Sequence, residues 1–356
     1  MESNNRPPLW TLVAPLAGGL MLALALLHAS GGLFITCVGG ALAACVFAAV
    51  HHAEVVAHRV GEPYGTLVLA LAVTLIEVAL IVSLMIAGGN EASALARDTV
   101  FAAVMIIVNG ILGLSLLLGG IAHREQSFSL DGASAALVAL GTIVILALVF
   151  PNYTVSAPGP FYTPAQLVLV AVVSLVIYGG FVFTQTAHRD LFVTEAAHHP
   201  GPRPSNRLAA LSACLLLACL CAVVLLAKKL APSLESAVAR AGAPESLVGV
   251  IIAAIVLLPE GLAALRAALA NQLQTSLNLG LGSALASIGL TIPAVGFVSL
   301  YLHQPLLLGI DTKSTVLLIL SLFVCALALR TGRTIMLHGV ALLVIFAVYL
   351  FTTVIP

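Results

Sequence analysis

The chain of 356 residues has no formal net charge, is 61% hydrophobic and only 8% charged, and has a mean hydropathy of +1.16. A soluble domain carries about 25% charged residues, so this inventory cannot cover an aqueous surface and calls instead for a lipid bilayer. Without any block of like charge, it also points away from a nucleic-acid partner.

The apolar residues come in runs close to the roughly 20 residues that a helix needs to cross hydrocarbon. In chain order the runs predict helices near 9–28, 32–50, 64–88, 99–120, 133–150, 165–186, 208–227, 246–268, 275–301, 314–330 and 335–354. They do not alternate, which excludes a membrane barrel. The first run follows a single basic residue, Arg6, and shows no convincing cleavage site after Leu27-His28-Ala29-Ser30, so a retained helix is expected. The second leads into HHAEVVAH, residues 51–58, where His51, Glu54 and His58 recur at i, i+3 and i+7 and share one helical face. The third holds Glu77 near its middle, with Thr74 one turn earlier on the same face. Arg97 and Asp98 stand at the entrance to the fourth, which contains Asn109. A polar connection, HRDLFVTEAAHHPGPRPSN, follows the sixth. The eighth carries Pro259-Glu260-Gly261, and the ninth, rich in small residues, carries Ser283. The six cysteines, Cys37, Cys45, Cys214, Cys219, Cys221 and Cys325, all fall inside apolar runs and read as small hydrophobes rather than bridges.

Basic residues set the orientation. With the N-terminus cytoplasmic, nine arginines (Arg6, Arg59, Arg124, Arg189, Arg203, Arg207, Arg266, Arg330, Arg333) face the cytoplasm. Five basic residues (Arg97, Lys228, Lys229, Arg240, Lys313) lie opposite. The positive-inside rule favours this arrangement, and eleven spans then put the C-terminus outside. The connection at 188–206 leaves one leading helix (1–31) and five spans on either side, 32–187 and 207–356. An odd number of spans inverts the second half relative to the first, as in many secondary transporters whose ion sites lie at the midplane. Glu77 and Glu260 stand in corresponding spans, the third and the eighth. The expected fold is thus an all-α integral membrane protein of about eleven helices, one leading helix plus two inverted five-helix repeats.

The two glutamates carry the chemistry. A charged carboxylate at the bilayer centre costs at least about 2.5 kcal/mol, and no lysine or arginine lies deep in any span to pair with it. Hard cations such as calcium take carboxylate, carbonyl, amide and hydroxyl oxygens. Glu77 and Glu260 are therefore the expected ion-binding acids, joined by Thr74, Asn109 and Ser283. Pro259 and Gly261 predict a broken helix that frees carbonyl oxygens. His51, Glu54 and His58, with Asp98 at the opposite mouth, are candidates for gating or proton relay, since histidine titrates near neutrality. The histidine cluster lacks the His-Glu-x-x-His spacing of a metalloprotease. No phosphate loop and no Gly-x-Ser-x-Gly elbow occurs, so the chain reads as a transporter rather than an enzyme, with no resident cofactor.

At these residues the sequence resembles a known family. GEPYGTLVLALAVTLIEVALI (61–81) and LLPEGLAALRAALANQLQTSLNLGLGSALASIGLTIP (257–293) are similar to the two alpha-repeats of the calcium/cation antiporter superfamily, in its cation/proton exchanger branch of ChaA type. ARDTVFAAVMII and LRTGRTIMLHG add to the likeness. The resemblance implies alpha motifs at 61–120 and 246–301 and places the family's ion-ligating acids on Glu77 and Glu260. The family's usual Gly-Asn before each acid is replaced by Leu75-Ile76 and Leu258-Pro259, and the 188–206 linker is not strongly acidic.

The expected activity is alternating-access exchange of Ca2+, or of Na+ or K+, for protons, with cation and protons competing for Glu77 and Glu260. A sodium-driven cation exchanger is the alternative. An intramembrane metalloprotease using the histidines and a passive channel are remoter ones.

Overall fold

Each apolar run becomes a helix in the computed structural model, which describes residues 7–26, 31–61, 64–88, 93–188, 192, 204–244 and 246–355. The helices are α1 (Leu9–Leu26), α2 (Gly32–Val60), α3 (Tyr64–Gly88), α4 (Leu95–His123), α5 (Leu130–Tyr153) and α6 (Pro164–Ala187). The second half gives α7 (Asn206–Arg240), α8 (Ser246–Leu269), α9 (Leu273–Leu302), α10 (Thr312–Leu329) and α11 (Met336–Val354). Among the described residues nine helices are long and apolar enough to cross a membrane, and shorter apolar stretches lie in α1 and α3. The protein is an all-α membrane protein, as its composition requires.

Local chemistry sets the helix ends. Thr163 and Gln166 form a reciprocal capping box at α6, and the side chains of Ser129, Ser205 and Asp311 accept backbone N–H groups at α5, α7 and α10. Such caps satisfy donors that the first helical turn leaves unpaired. Two helices outrun the predicted spans. α2 continues to Val60, and α7 runs on through Pro232 to Arg240; glycines at positive φ, Gly61 and Gly242, stand just beyond the two ends. The break predicted at Pro259-Glu260-Gly261 does not form, and α8 runs unbroken from Ser246 to Leu269. Proline at 259 removes only the donor to the carbonyl one turn earlier, a loss that membrane helices tolerate when neighbours pack around it.

Packing gathers the chain into two compact units. The first holds α1, α2, α3 and α7; the second holds α4–α6 and α8–α11. In the first, α1, α2 and α7 lie against one another through small side chains. A Cβ at Gly18 of α1 would fall 2.8 Å from the Cys45 sulfur on α2 and 3.3 Å from Ala222 Cβ on α7. The buried stripe of α2 runs Val38, Leu42, Cys45, Ala49, His52, at alternating spacings of four and three residues.

The second unit repeats its own pattern with the direction reversed. α11 packs along α4, and α6 packs along α9, the helix five places later than α4. A two-stranded clasp joins the α4–α5 connection (β1, Glu125–Ser127) to the α10–α11 connection (β2, Arg333–Ile335), with Gln126 opposite Thr334. Its counterpart is the antiparallel bridge between Phe161, in the α5–α6 connection, and Leu307, in the α9–α10 connection. Counting spans places the two clasps on opposite membrane faces. This is the signature of inverted repeats.

Two turns of π-helix interrupt the unit, Ile106–Ile111 in α4 and Ile145–Val149 in α5. In α5 the carbonyls near the bulge are met from outside: Tyr162 donates to Leu146 O at 2.5 Å and the Ile310 amide to Leu148 O at 2.8 Å. Burial pushes the Tyr162 hydroxyl up to about 12, so it keeps its donor hydrogen at physiological pH. At the α4–α11 crossing the backbones touch. A Cβ at Gly120 would lie 2.6 Å from the Met336 nitrogen, and one at Gly339 would collide with the Leu117 nitrogen.

Candidate functional site

Glu77 sits mid-way along α3 in the first unit and is 5% exposed, with Thr74 equally buried one turn earlier and Ile76 beside it. Leu75, between them, is 48% exposed. The helical period therefore turns the acid and the hydroxyl inward and the leucine outward. Thr74 thus shares the inward face that its spacing predicted.

Glu260 occupies the corresponding helix, α8, in the second unit. Both its carboxylate oxygens are buried, although the stem remains partly accessible. The elements around it meet at the π turn of α4. α8 reaches that turn through Gly261, where a Cβ would lie 3.1 Å from Ile111 Cδ1. Higher on the same two helices, Gly249 lies against the backbone of Asp98 and Thr99. α9 reaches the turn through Gly280, where a Cβ would lie 2.8 Å from Leu112 Cδ2. From the α11 side, Phe346 packs on Gly110. The π turn is thus where α8, α9, α10 and α11 converge on α4, and π-bulges occur often at functional positions.

Ser283 lies on the α9 face that meets α4. Ser276, Gly280, Ser283, Ser287 and Thr291 recur at helical spacing along that face. Ser283 is half-buried, whereas Ser276, Ser287 and Thr291 are fully buried. The period of the small polar residues is the signal that adds Ser276, Ser287 and Thr291 to Ser283.

Asn109 is fully buried within the π turn. Its amide nitrogen donates to Ser321 Oγ on α10 at 2.9 Å and lies 3.6 Å from Met105 Sδ. Asp98, in the first turn of α4, accepts from Arg97 Nε at 2.7 Å and pairs with Nη2 at 2.6 Å. Arg97 also donates to the Gly309 carbonyl at 3.3 Å, which ties Asp98 to the α9–α10 connection. An acid near a helix N-terminus is favourable in any case.

The residues of the histidine face differ in burial. Glu54 is exposed, and His51 and His58 are half-buried, with the His51 ring 5.7 Å from that of Trp10. His52 is the fully buried histidine, its Nε2 3.2 Å from the Thr11 carbonyl on α1. A carbonyl only accepts, so Nε2 carries the hydrogen. The phase of the stripe Cys45, Ala49, His52 was the signal that His52 points inward. Among the described residues no group of three His, Cys, Asp or Glu side chains could hold a metal ion. All six cysteines are free thiols.

At its far end α8 is anchored by polar side chains. Gln126 donates to the Ala268 carbonyl at 2.9 Å and to Asn271 Oδ1 at 3.0 Å, and His123 Nε2 lies 2.9 Å from the Leu269 carbonyl. These groups satisfy carbonyls that the last helical turn leaves open. None was singled out from sequence.

Comparison with known proteins accords with this architecture. The family model for sodium/calcium exchanger protein matches residues 30–187 and 211–355. A protein of Sinorhizobium fredii named only as an ionic transporter is 48% identical over 98% of this chain and 97% of its own length. The sodium-potassium/proton antiporter ChaA of Escherichia coli is 40% identical over 86% of this chain and 84% of its own. Among solved structures, native YfkE superposes with a TM-score of 0.74 at 17% identity, covering 98% of this chain and all of that one. The family match and the two relatives, spread over nearly the whole length, place this chain in the sodium/calcium exchanger protein family of secondary transporters.

Proposed function

We propose that the protein is a cation/proton antiporter of the inner (plasma) membrane, with its N-terminus cytoplasmic and its C-terminus external. Glu77 and Glu260 take up either cation or protons during alternating access. The observation that carries this reading is the pair of carboxylates buried mid-helix in α3 and α8, the corresponding helices of the two halves. Burial favours the neutral form of a carboxyl group, whereas a bound cation favours the ionised form. A group of this kind holds a proton or helps to hold a metal ion, and the competition obliges exchange. The halves 32–187 and 207–356 act as the two repeats, joined by the linker 188–206. Thr74, Asn109 and Ser283 supply neutral oxygens, and Asp98 with the His51, Glu54 and His58 face serves the two mouths.

Calcium is the cargo that best suits two carboxylates. Its export against two protons, one for each glutamate, moves no net charge. A second reading, with Na+ or K+ as cargo, is favoured by the 40% identical relative, which is named a sodium-potassium/proton antiporter.

The test is proton flux in reconstituted vesicles holding a pH gradient, on adding Ca2+, Na+ or K+ in turn. The expected result is that at least one cation collapses the gradient with wild type and none does with Glu77→Gln or Glu260→Gln. Cation-independent proton leak, or full exchange by both variants, overturns the reading. Exchange that runs only between two cations, with no proton movement, selects the sodium-driven alternative.

A further inference from the structure

The orientation of the Asn109 amide is fixed by groups that play no part in the reading above. Its nitrogen lies 2.9 Å from Ser321 Oγ and 3.6 Å from Met105 Sδ. Ser321 has one hydroxyl hydrogen; the Leu317 carbonyl on its own helix takes it at 2.6 Å, with Met105 Sδ farther off at 3.6 Å. Towards Asn109 that oxygen therefore only accepts. A thioether carries no hydrogen and also only accepts. Turned by 180°, the amide would set its oxygen against the thioether, and Ser321 could meet that oxygen only by withdrawing its hydrogen from the Leu317 carbonyl. The nitrogen is held towards α10, and Oδ1 is aimed elsewhere.

That oxygen is buried and meets no donor among the described residues. Leaving a buried acceptor unmet is costly, and amide oxygens are ligands for hard cations. The location is the π turn of α4, beside the stretch of α8 that carries Glu260 and against the small-residue face of α9.

We infer that Ser321, helped by Met105, is a positioning residue that presents Asn109 Oδ1, rather than its NH2 group, to the transported cation. The inference rests on the reading of Asn109 as an ion-binding residue. Ser321 touches no ion itself. It acts by making the wrong amide rotamer unfavourable, so its removal weakens cation binding without touching the acids that carry protons.

The experiment measures cation-dependent proton exchange in vesicles across a range of cation concentrations. For Ser321→Ala the KM for the cation rises by about 3- to 10-fold, the range set by loss of one hydrogen bond, while the maximal rate stays within about twofold. Asn109→Leu raises KM at least as much, and Ser321→Ala adds nothing further in that background, because the two act through one contact. Should the alanine variant fail to fold, Ser321→Thr and Ser321→Val have matched shapes and differ in the hydroxyl. The threonine keeps the wild-type KM and the valine does not. Equal KM values for that pair, or a wild-type KM for Ser321→Ala beside a raised KM for Asn109→Leu, overturn the positioning role and leave Asn109 as a ligand. A wild-type KM for Asn109→Leu overturns the ligand reading and the inference together, while the result for Glu77→Gln and Glu260→Gln stands apart from both.

Discussion

The two compact units are built from equally apolar helices but are held by different means. In the first, α1, α2 and α7 meet through Gly18, Cys45, Ala222 and their neighbours, with α1 and α2 also joined by Cys45 Sγ to Ala14 O at 3.3 Å and His52 to Thr11 O. In the second, polar groups join separate segments throughout its depth. Asn109 reaches Ser321, Gln126 reaches Ala268 and Asn271, Asn152 Nδ2 donates to the Ile310 carbonyl at 2.6 Å, and Gln274 Oε1 accepts the Ser129 amide at 2.6 Å. Packing of small side chains in lipid has shallow preferences, whereas each polar contact demands one geometry. At each of these points the second unit is held to one arrangement.

The largest expected effect tests the feature that both units share. Glu77→Gln and Glu260→Gln each reduce proton-coupled cation flux to the level of empty vesicles, as either acid is required for the competition. An effect confined to one of them would assign the exchange to one unit alone.

Next come paired glycine substitutions, read by thermal unfolding of the detergent-purified protein. Gly339→Ala in the second unit drives a methyl group into the α4 backbone, an overpacking that costs about 1–3 kcal/mol. Gly18→Ala in the first meets side chains rather than backbone, the Cys45 thiol at 2.8 Å and the Ala222 Cβ at 3.3 Å, and these need give only by a few tenths of an ångström. The gain in helix propensity of about 1 kcal/mol offsets the crowding, so its stability stays near that of wild type. Equal losses at the two positions would abolish the distinction between the units.

Gln126→Ala removes two donated hydrogen bonds at the end of α8 and is expected to lower stability by about 1–2 kcal/mol. The smallest effect belongs to the exposed pair of Arg333 and Glu125, 3.1 Å apart across the β1–β2 clasp. Glu125→Ala changes stability by less than about 1 kcal/mol, and less still in high salt. A large loss there would mean that the clasp is held by charge rather than by its backbone pairing.

Much of this molecule is legible in one dimension, and the limits are physical. Hydrocarbon thickness and helical rise set the length of each apolar run, so all eleven helices fall where the runs do. Hydropathy falls silent once a helix leaves the apolar zone, which is why the ends of α2 at Val60 and α7 at Arg240 escape it. Glu77 and Glu260 stand out because a buried carboxylate is costly wherever it packs. Choosing His52 over His51 needs the phase of the helix, which Val38, Leu42, Cys45 and Ala49 supply. The partner of Asn109 lies 212 positions along the chain, and no local pattern marks Ser321 out from other serines in apolar runs.

The π turn at Ile106–Ile111 gives α4 two rotational phases. Before it, Asp98 and Thr99 face Gly249 of α8; after it, Gly113 and Gly120 face α11. One surplus residue is enough to turn the rest of a helix by about 100°. A homologue lacking a single residue in this stretch would wind α4 as one regular helix and carry every later side chain to a neighbouring face. Within this fold the turn therefore behaves as a reading-frame marker, across which insertions and deletions are confined to compensated pairs even where individual side chains are free to vary.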